Sequence, residues 1–333
     1  MKWLPAVLVL VAVTAAAAPT PYQQREEVKQ FIAEMVERHG FAERKLVALF
    51  SRVRFEPAIV KAMTPPPESP ERSWQTFRAL FLNPQRIEAG VQFRTQHAAT
   101  LTRAAAEFGV PEEIIVAIIG VETGYGRNMG AYRVIDALST LAFDFPPRAR
   151  YFRAELENYL LFTRESGMDV FVLKGSYAGA IGIPQFMPGT YRRFALDYDG
   201  DGVANLAASA DDAIGSVANF LKGHGWERGE PVGYAAEVTG ENWRRLAAAG
   251  FLPKYRIGDL PAFGVTLAES PPADKACALI ELETPRQPSE YRVGLRNFYV
   301  LTRYNRSGLY AAAVLDLATA IARQGQEVKK ENP

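Results

Sequence analysis

The segment Pro111–Arg127, PEEIIVAIIGVETGYGR, holds one carboxylic acid where a carboxylic acid is costly to ionise. From Ile114 to Val121 the residues are apolar on every side, so a helix formed there is buried. Glu122 follows Ile118 by four positions and Ile119 by three, which stacks it over the same apolar face. Gly124 and Gly126 then let the backbone turn away. Desolvation raises the pKa of such a carboxyl, so it keeps a proton near neutral pH and can donate it. A glycosidic leaving oxygen asks this of a general acid. The same residues also suit a glutamate that closes a helix by pairing with Arg127 or Arg133, although the helix dipole disfavours negative charge at that end.

A second acidic constellation points to other chemistry. Asp197-Tyr-Asp199-Gly-Asp201-Gly202-Val203-Ala-Asn205 matches an EF-hand loop at positions 1, 3, 5, 6, 7 and 9. Carboxylates two residues apart, a glycine at the sharp turn and the carbonyl of Val203 suit a flexible, oxygen-seeking cation, hence a structural Ca2+. Position 12 is Ala208 rather than glutamate, which leaves Asp211 or Asp212 to close the cage through a longer loop. A solvated Asp/Gly turn, or a calcium sensor, fits the same letters.

Three further stretches look like walls of a ligand cleft. Lys174–Pro188, KGSYAGAIGIPQFMP, sets Ser176, Gln185, Phe186 and Met187 among glycines that allow close backbone approach. RARYF (Arg148–Phe152) and NFYVLTRYN (Asn297–Asn305) add tyrosines and amides of the kind that stack on and bond to sugars.

The elements that must carry these residues are mostly helical. An apolar stripe at Val28, Phe31, Ile32, Met35 and Val36 predicts helix between Gln24 and about Phe50, ended at Gly40. TPPPESP (Thr64–Pro70) is an extended connector, and Pro84 to Phe108 reads as helix again. After Gly229, Val232–Thr239, Arg256–Leu267 and Ala276–Glu283 read as strands, and Leu309–Ala322 returns to helix. The class predicted is α+β with helix predominant.

Composition narrows the function. The 333 residues carry 38 Lys+Arg against 37 Asp+Glu, without the basic excess of a nucleic-acid binder. Three dispersed histidines and the single Cys277 argue against a zinc site, a disulfide framework or a CxxC redox centre. Lys2, the apolar run Trp3–Val13 and the small residues Ala15–Ala18 read as a secretory leader cut after Ala17, with no cysteine nearby for lipid attachment. Export is therefore expected, and a monomer.

GVETGYG, KGSYAGAIGIPQFMP, DAIGSVANFLKGHGW and NFYVLTRYN, in this order, closely resemble the B-type membrane-bound lytic murein transglycosylases of Gram-negative bacteria. The resemblance runs from about Trp74 to Tyr310. It implies a lysozyme-like catalytic core flanked by a helical domain and a small β-domain. The divisions expected are a signal peptide 1–17, an N-terminal helical region 18–110, the core 111–228 with its EF-hand-like loop 197–212, a β-rich region 229–292 and a C-terminal helical region 293–333. It also implies Glu122 as sole acid and base, no catalytic cofactor, and a cut between N-acetylmuramic acid and N-acetylglucosamine that leaves a 1,6-anhydro end in the periplasm. Peptidoglycan strands are the implied partner, alongside proteins that build or remodel the wall.

Carried over residue by residue, Ser176 and Gln185 resemble partners of Glu122 and of the acetamido groups. Tyr151, Arg148 and Met187 resemble cleft residues, and Tyr299, Tyr304 and Asn305 the opposite wall. Asp212, just before AIGS, resembles the ligand that closes the metal loop. Pro147, Phe77 and Phe220 depart from the arginine and tyrosines common in relatives, which puts outer-subsite contacts in doubt. Two alternatives stand beside this reading. One is a noncatalytic peptidoglycan-binding scaffold; the other is a hydrolytic muramidase, which needs a second carboxylate such as Asp136 or Asp144.

Overall fold

The computed structural model describes residues 20–64 and 73–331, with side chains up to residue 326. The expected leader and nearly all of the proline connector lie outside the described residues. The described residues form two compact units, divided between Arg54 and Phe55.

In the first unit, helix α1 (Glu26–His39) buries Val28, Phe31, Ile32 and Met35, as their spacing predicts, and ends at Gly40 with φ 64°. Helix α2 (Glu43–Phe50) closes on it, with the rings of Phe31 and Phe50 edge to face at 5.9 Å.

The second unit begins with α3 (Pro57–Met63), α4 (Trp74–Phe81), α5 (Pro84–Gln96) and α6 (Ala98–Phe108). Next comes α7 (Glu112–Thr123), the axis of the unit, which packs against α5 and α6. A two-residue ladder, β1 (Tyr132–Arg133) with β2 (Lys174–Gly175), brackets α8 (Val134–Phe143) and α9 (Ala149–Glu165). Helices α10 (Pro188–Phe194) and α11 (Ala210–Gly223) follow, and α11 also packs on α7.

The antiparallel sheet has strand order β4-β6-β7-β3-β5. Its members are β3 (Gly233–Val238), β4 (Tyr255–Arg256), β5 (Val265–Leu267), β6 (Ala276–Leu282) and β7 (Glu290–Gly294), with the short α12 (Arg244–Ala247) between β3 and β4. It shelters its own core of Trp243, Leu246, Leu260, Cys277, Leu279 and Val293. The chain then returns through α13 (Arg296–Tyr304) and α14 (Gly308–Glu331). Ala311, Ala312, Ala313, Val314 and Leu317 of α14 are wholly buried, and such small side chains permit a close approach to α7. The isoleucines of α7 are buried too, each worth roughly 2 kcal/mol. No helix among the described residues is long and apolar enough to cross a membrane.

The sequence and the structure differ at three places. The stretch Pro84–Phe108 is two helices, broken at His97 (φ −111°, ψ 26°), whose ring packs on Phe93 at 4.5 Å while Nδ1 meets Asp211 at 3.4 Å. Arg256–Leu267 is interrupted by a 3-10 helix, Ile257–Phe263, where the Asp259 carboxylate accepts the Arg256 N–H and Pro261 has no N–H for a ladder. Strand β7, with its buried Val293, sits between β6 and β3 although its five residues carry little apolar patterning.

Candidate active site

Glu122 lies in the last turn of α7, and three successive left-handed residues, Gly124 (φ 57°), Tyr125 (φ 65°) and Gly126 (φ 81°), fold the chain away behind it. A left-handed tyrosine is strained by about 1 kcal/mol, so its surroundings must hold it. Its hydroxyl donates to the Arg86 carbonyl at 2.9 Å, and the Arg86 guanidinium donates to the Gly120 carbonyl. Position 120 has to be glycine: a Cβ there would lie 2.6 Å from the Tyr125 hydroxyl oxygen. Thr123 ties the turn to the next loop by donating to the Ile183 carbonyl at 2.9 Å and accepting from Gly126 N–H at 2.9 Å.

Neither arginine considered as a partner reaches Glu122. Arg127 donates to the Gly124 carbonyl at 3.1 Å, and Arg133 pairs with Asp136. The partner is instead Tyr310 of α14, whose phenol donates to Oε1 at 2.7 Å. Glu122 keeps an open edge, yet its carboxyl is hemmed in closely enough that desolvation raises its pKa to about 7, against the lowering effect of the Tyr310 hydrogen bond. Tyr310 stacks on Tyr304 at 6.2 Å and 13°, and Tyr304 donates to the Pro184 carbonyl at 2.6 Å. Burial, and then the neighbouring Glu122 charge, push both phenols well above their usual range.

The Lys174–Pro188 loop is built on its own hydrogen bonds. Ser176 Oγ accepts from Ala180 N–H at 3.1 Å, and among the described residues it does not bond Glu122. Gln185 is left-handed (φ 53°), and its Nε2 donates to the carbonyls of Gly182 (2.8 Å) and Met129 (3.2 Å). Both amide hydrogens are thus engaged, which leaves Oε1 as an acceptor for a ligand N–H.

One cavity lies at the end of α7 and a second beside this loop, and they share no lining residue. The first, of 380 Å³, is lined by Glu122 with Asn83, Gln85, Arg86, Arg127 and Asn128. The other, of 810 Å³, collects Arg148, Tyr151, Gln185, Met187, Tyr304 and Asn305, six of the residues expected in a cleft. Tyr299 lies outside both linings, with its ring 5.4 Å from the Arg296 guanidinium, and Ser176 lies outside both as well. Asp136 is 2% exposed and lines neither cavity; nor does Asp144.

Sequence reasoning missed Tyr310, a lone phenol in an alanine-rich helix, and Glu155, Arg193, His224, Arg303 and Arg306, which line the larger cavity. Glu155 accepts from Gly189 N–H at 2.8 Å, and burial raises its pKa. Its spacing four residues beyond Tyr151 in α9 was the available signal.

In the acidic loop, oxygens of Asp197, Asp199 and Asp212 lie within 4.8 Å of one another. Asp212 is fully buried and accepts from the N–H groups of Tyr198 (2.7 Å), Asp199 (3.2 Å) and Asn205 (2.7 Å), so it also ties the loop's backbone. Asp197 accepts from Gly200 and Gly202, both at 2.8 Å. Asp201 stands outside that trio and accepts from Val203 N–H at 2.8 Å, while Asp211 faces His97. Three carboxylates converging on one point form a donor set that fits a hard divalent cation.

The Transglycosylase SLT domain family matches residues 23–319. Membrane-bound lytic murein transglycosylase B of Escherichia coli K12 is 40% identical over 309 residues, 90% of this chain and 84% of that protein. Among solved structures, soluble lytic transglycosylase SltB1 from Pseudomonas aeruginosa is 47% identical with a TM-score of 0.83, covering 90% of this chain and 99% of that one. Escherichia coli lytic transglycosylase Slt35 in complex with calcium is 41% identical with a TM-score of 0.79, covering 92% and 94%.

Proposed function

The chain belongs to the Transglycosylase SLT family and is a lysozyme-like lytic transglycosylase of peptidoglycan; from that premise we propose that Glu122 alone supplies its acid and base. The observation that carries this is a carboxyl at a buried helix end, raised to about 7, whose one hydrogen-bonding partner among the described residues is the Tyr310 phenol.

The protonated Glu122 donates its proton to the oxygen bridging N-acetylmuramic acid and N-acetylglucosamine. The C1–O bond breaks, and the N-acetylglucosamine side leaves with a new hydroxyl. The muramic 2-acetamido oxygen stabilises the oxocarbenium-like C1. Glu122, now a carboxylate, takes the proton from the C6 hydroxyl as that oxygen closes on C1. The acid is restored, no water is consumed, and the product ends in a 1,6-anhydro ring. One carboxylate suffices where most glycosidases use two.

Gln185 Oε1 is suited to accept an acetamido N–H, because its own amide hydrogens are held by Gly182 and Met129. Ser176, which lines neither cavity, acts on the acetamido groups only by holding the loop that presents Gln185, its Oγ accepting from Ala180 N–H. Tyr151, Met187 and Tyr304 offer faces for sugar rings, and Arg148 and Asn305 bind polar groups of the glycan.

Asp197, Asp199 and Asp212, with Asp201 and the Val203 carbonyl, hold a structural Ca2+ that stiffens the loop before α11. The residue 1–17 leader delivers the protein to the periplasm. The deciding experiment is mass spectrometry of muropeptides released from purified sacculi by the mature protein, with Glu122→Gln as control. Anhydro ends from wild type alone are expected; reducing ends bearing solvent oxygen at C1 would make the protein a muramidase.

A further inference from the structure

Glu122 is bracketed by two bonds that end on one residue of a neighbouring helix. The carbonyl of Gly120, just before it in α7, accepts from the Arg86 guanidinium. The phenol of Tyr125, just after it in the turn, donates to the Arg86 carbonyl at 2.9 Å. Arg86 is itself fixed as α5 begins. Its N–H donates to the Asn83 side chain at 3.0 Å, and its guanidinium lies 5.3 Å from the Phe81 ring. The last turn of α7 holds no basic residue, so a cation for its terminal carbonyls has to come from outside the helix.

Two glycines show how closely the Tyr125 phenol is seated. A Cβ on Gly90 of α5 would lie 2.5 Å from the hydroxyl oxygen, and one on Gly120 of α7 would lie 2.6 Å from it. Both glycines are buried inside helices, where glycine is less stable than alanine. Two helices therefore give up stability to form a socket for one hydroxyl. The Tyr125 ring packs on Phe93 of α5 at 5.6 Å, which completes the seat of this left-handed residue.

We infer that Arg86 is a positioning residue for the reaction: by clamping Gly120 and Tyr125 it fixes the end of α7 and with it the place of the Glu122 carboxyl. The inference rests on the reading of Glu122 as acid and base. Burial and the Tyr310 phenol are what move the Glu122 pKa, so Arg86 acts on the backbone that carries the carboxyl rather than on its charge. Such a role matters because a misplacement of about 1 Å can cost a catalytic step roughly 100-fold.

The test is kcat and KM of the mature protein on soluble glycan strands, with Tm recorded for every variant. Arg86→Met removes the donor and keeps the stem, while Arg86→Lys keeps one donor. Tyr125→Phe opens the other half of the clamp and keeps the ring, and it carries the test should Arg86→Met fail to fold. Arg86→Met and Tyr125→Phe should each lower kcat on the order of tenfold with KM unchanged, and Arg86→Lys should recover most of the loss. The groups around the carboxyl are Tyr304 and Tyr310 and, lining the smaller cavity with it, Arg86 and Arg127. A loosened clamp lets water reach Glu122, so the alkaline limb of kcat/KM should move downward in both variants. A raised KM at constant kcat would make Arg86 a substrate-binding residue, and a limb that moves upward would make it a charge acting on the carboxyl. A lower Tm with kcat and the limb unchanged would make the clamp merely structural. Each of these three results overturns the inference. Turnover that survives Glu122→Gln is a separate failure, that of the reading of Glu122 itself.

Discussion

Glu122 and Asp199 carry the same functional group, and their surroundings drive it in opposite directions. Glu122 sits among α7, the Lys174–Pro188 loop and α14 with one neutral phenol as its donor, and desolvation raises it to about 7. Asp199 stands in solvent, where the Ser209 hydroxyl and the Asp201 N–H hold it below the usual carboxylate range. Withdrawing water without supplying donors makes an acid that keeps its proton. Supplying donors while leaving water makes an anion suited to a cation. One chain thus builds an acid catalyst and a metal loop from the same side-chain chemistry.

The comparison breaks first at Glu122. Glu122→Gln should lower kcat/KM for strand cleavage by about 10²- to 10⁴-fold, the span of positioned acid–base groups, as read from release of anhydro-muropeptides. The same variant has a second, opposite consequence. An acid whose folded-state pKa exceeds its unfolded value opposes folding once pH rises past the unfolded value near 4.5, and the penalty is complete above about 7. At about 1.4 kcal/mol per tenfold, the interval amounts to about 3 kcal/mol, an upper figure because the side chain keeps an open edge. Urea unfolding should therefore find Glu122→Gln more stable than wild type at pH 8 and equal to it at pH 4. Equal stability at both pH values would mean that the carboxyl is not desolvated.

The metal loop should respond to its ion and be indifferent to Glu122. Calcium at 100 times its Kd stabilises a protein that binds it only when folded by about 2.7 kcal/mol, which appears as a rise in Tm. Asp212→Asn should abolish that rise, and Glu122→Gln should keep it. An unchanged Tm together with an absent calorimetric signal would remove calcium from the loop.

Much of this contrast was legible in the letters. Helical period placed Glu122 over Ile118 and Ile119, the paired glycines marked the turn behind it, and the Asp-x-Asp-x-Asp-Gly run marked the loop. Chain-local patterns of this kind can be read because the partners are neighbours. The phenol that meets Glu122 comes from 188 residues downstream, and the arginines of the larger cavity arrive from three separate helices and a turn. Only tertiary packing joins them. Local turn chemistry also outweighed period at two places: His97 splits a helix through its contacts with Phe93 and Asp211, and Asp259 with Pro261 coil a segment whose alternation reads as strand. Among the metal residues, sequence offered Asp211 and Asp212 alike. The fold separates them by turning one toward His97 and burying the other beneath the loop.

Tyr310→Phe gives the finest test of how far one donor moves Glu122 along this scale. The phenol bonds the charged form of the carboxyl more strongly than the neutral one, and so it lowers the Glu122 pKa from where burial alone would set it. Removing the hydroxyl keeps the ring against Tyr304 and deletes that one donor. Glu122 then holds its proton to higher pH, and the alkaline limb of the kcat/KM profile should move upward. Peak kcat/KM should fall by about tenfold, because the carboxylate formed after bond cleavage loses its only phenol donor, and a hydrogen bond to a charged group is worth about 1.5 kcal/mol or more. A merely structural role for Tyr310 would lower stability and leave the alkaline limb where it was. A limb that moves downward would mean that the phenol stabilises the neutral acid, and the electrostatic order drawn between Glu122 and the aspartates would have to be reversed at this position.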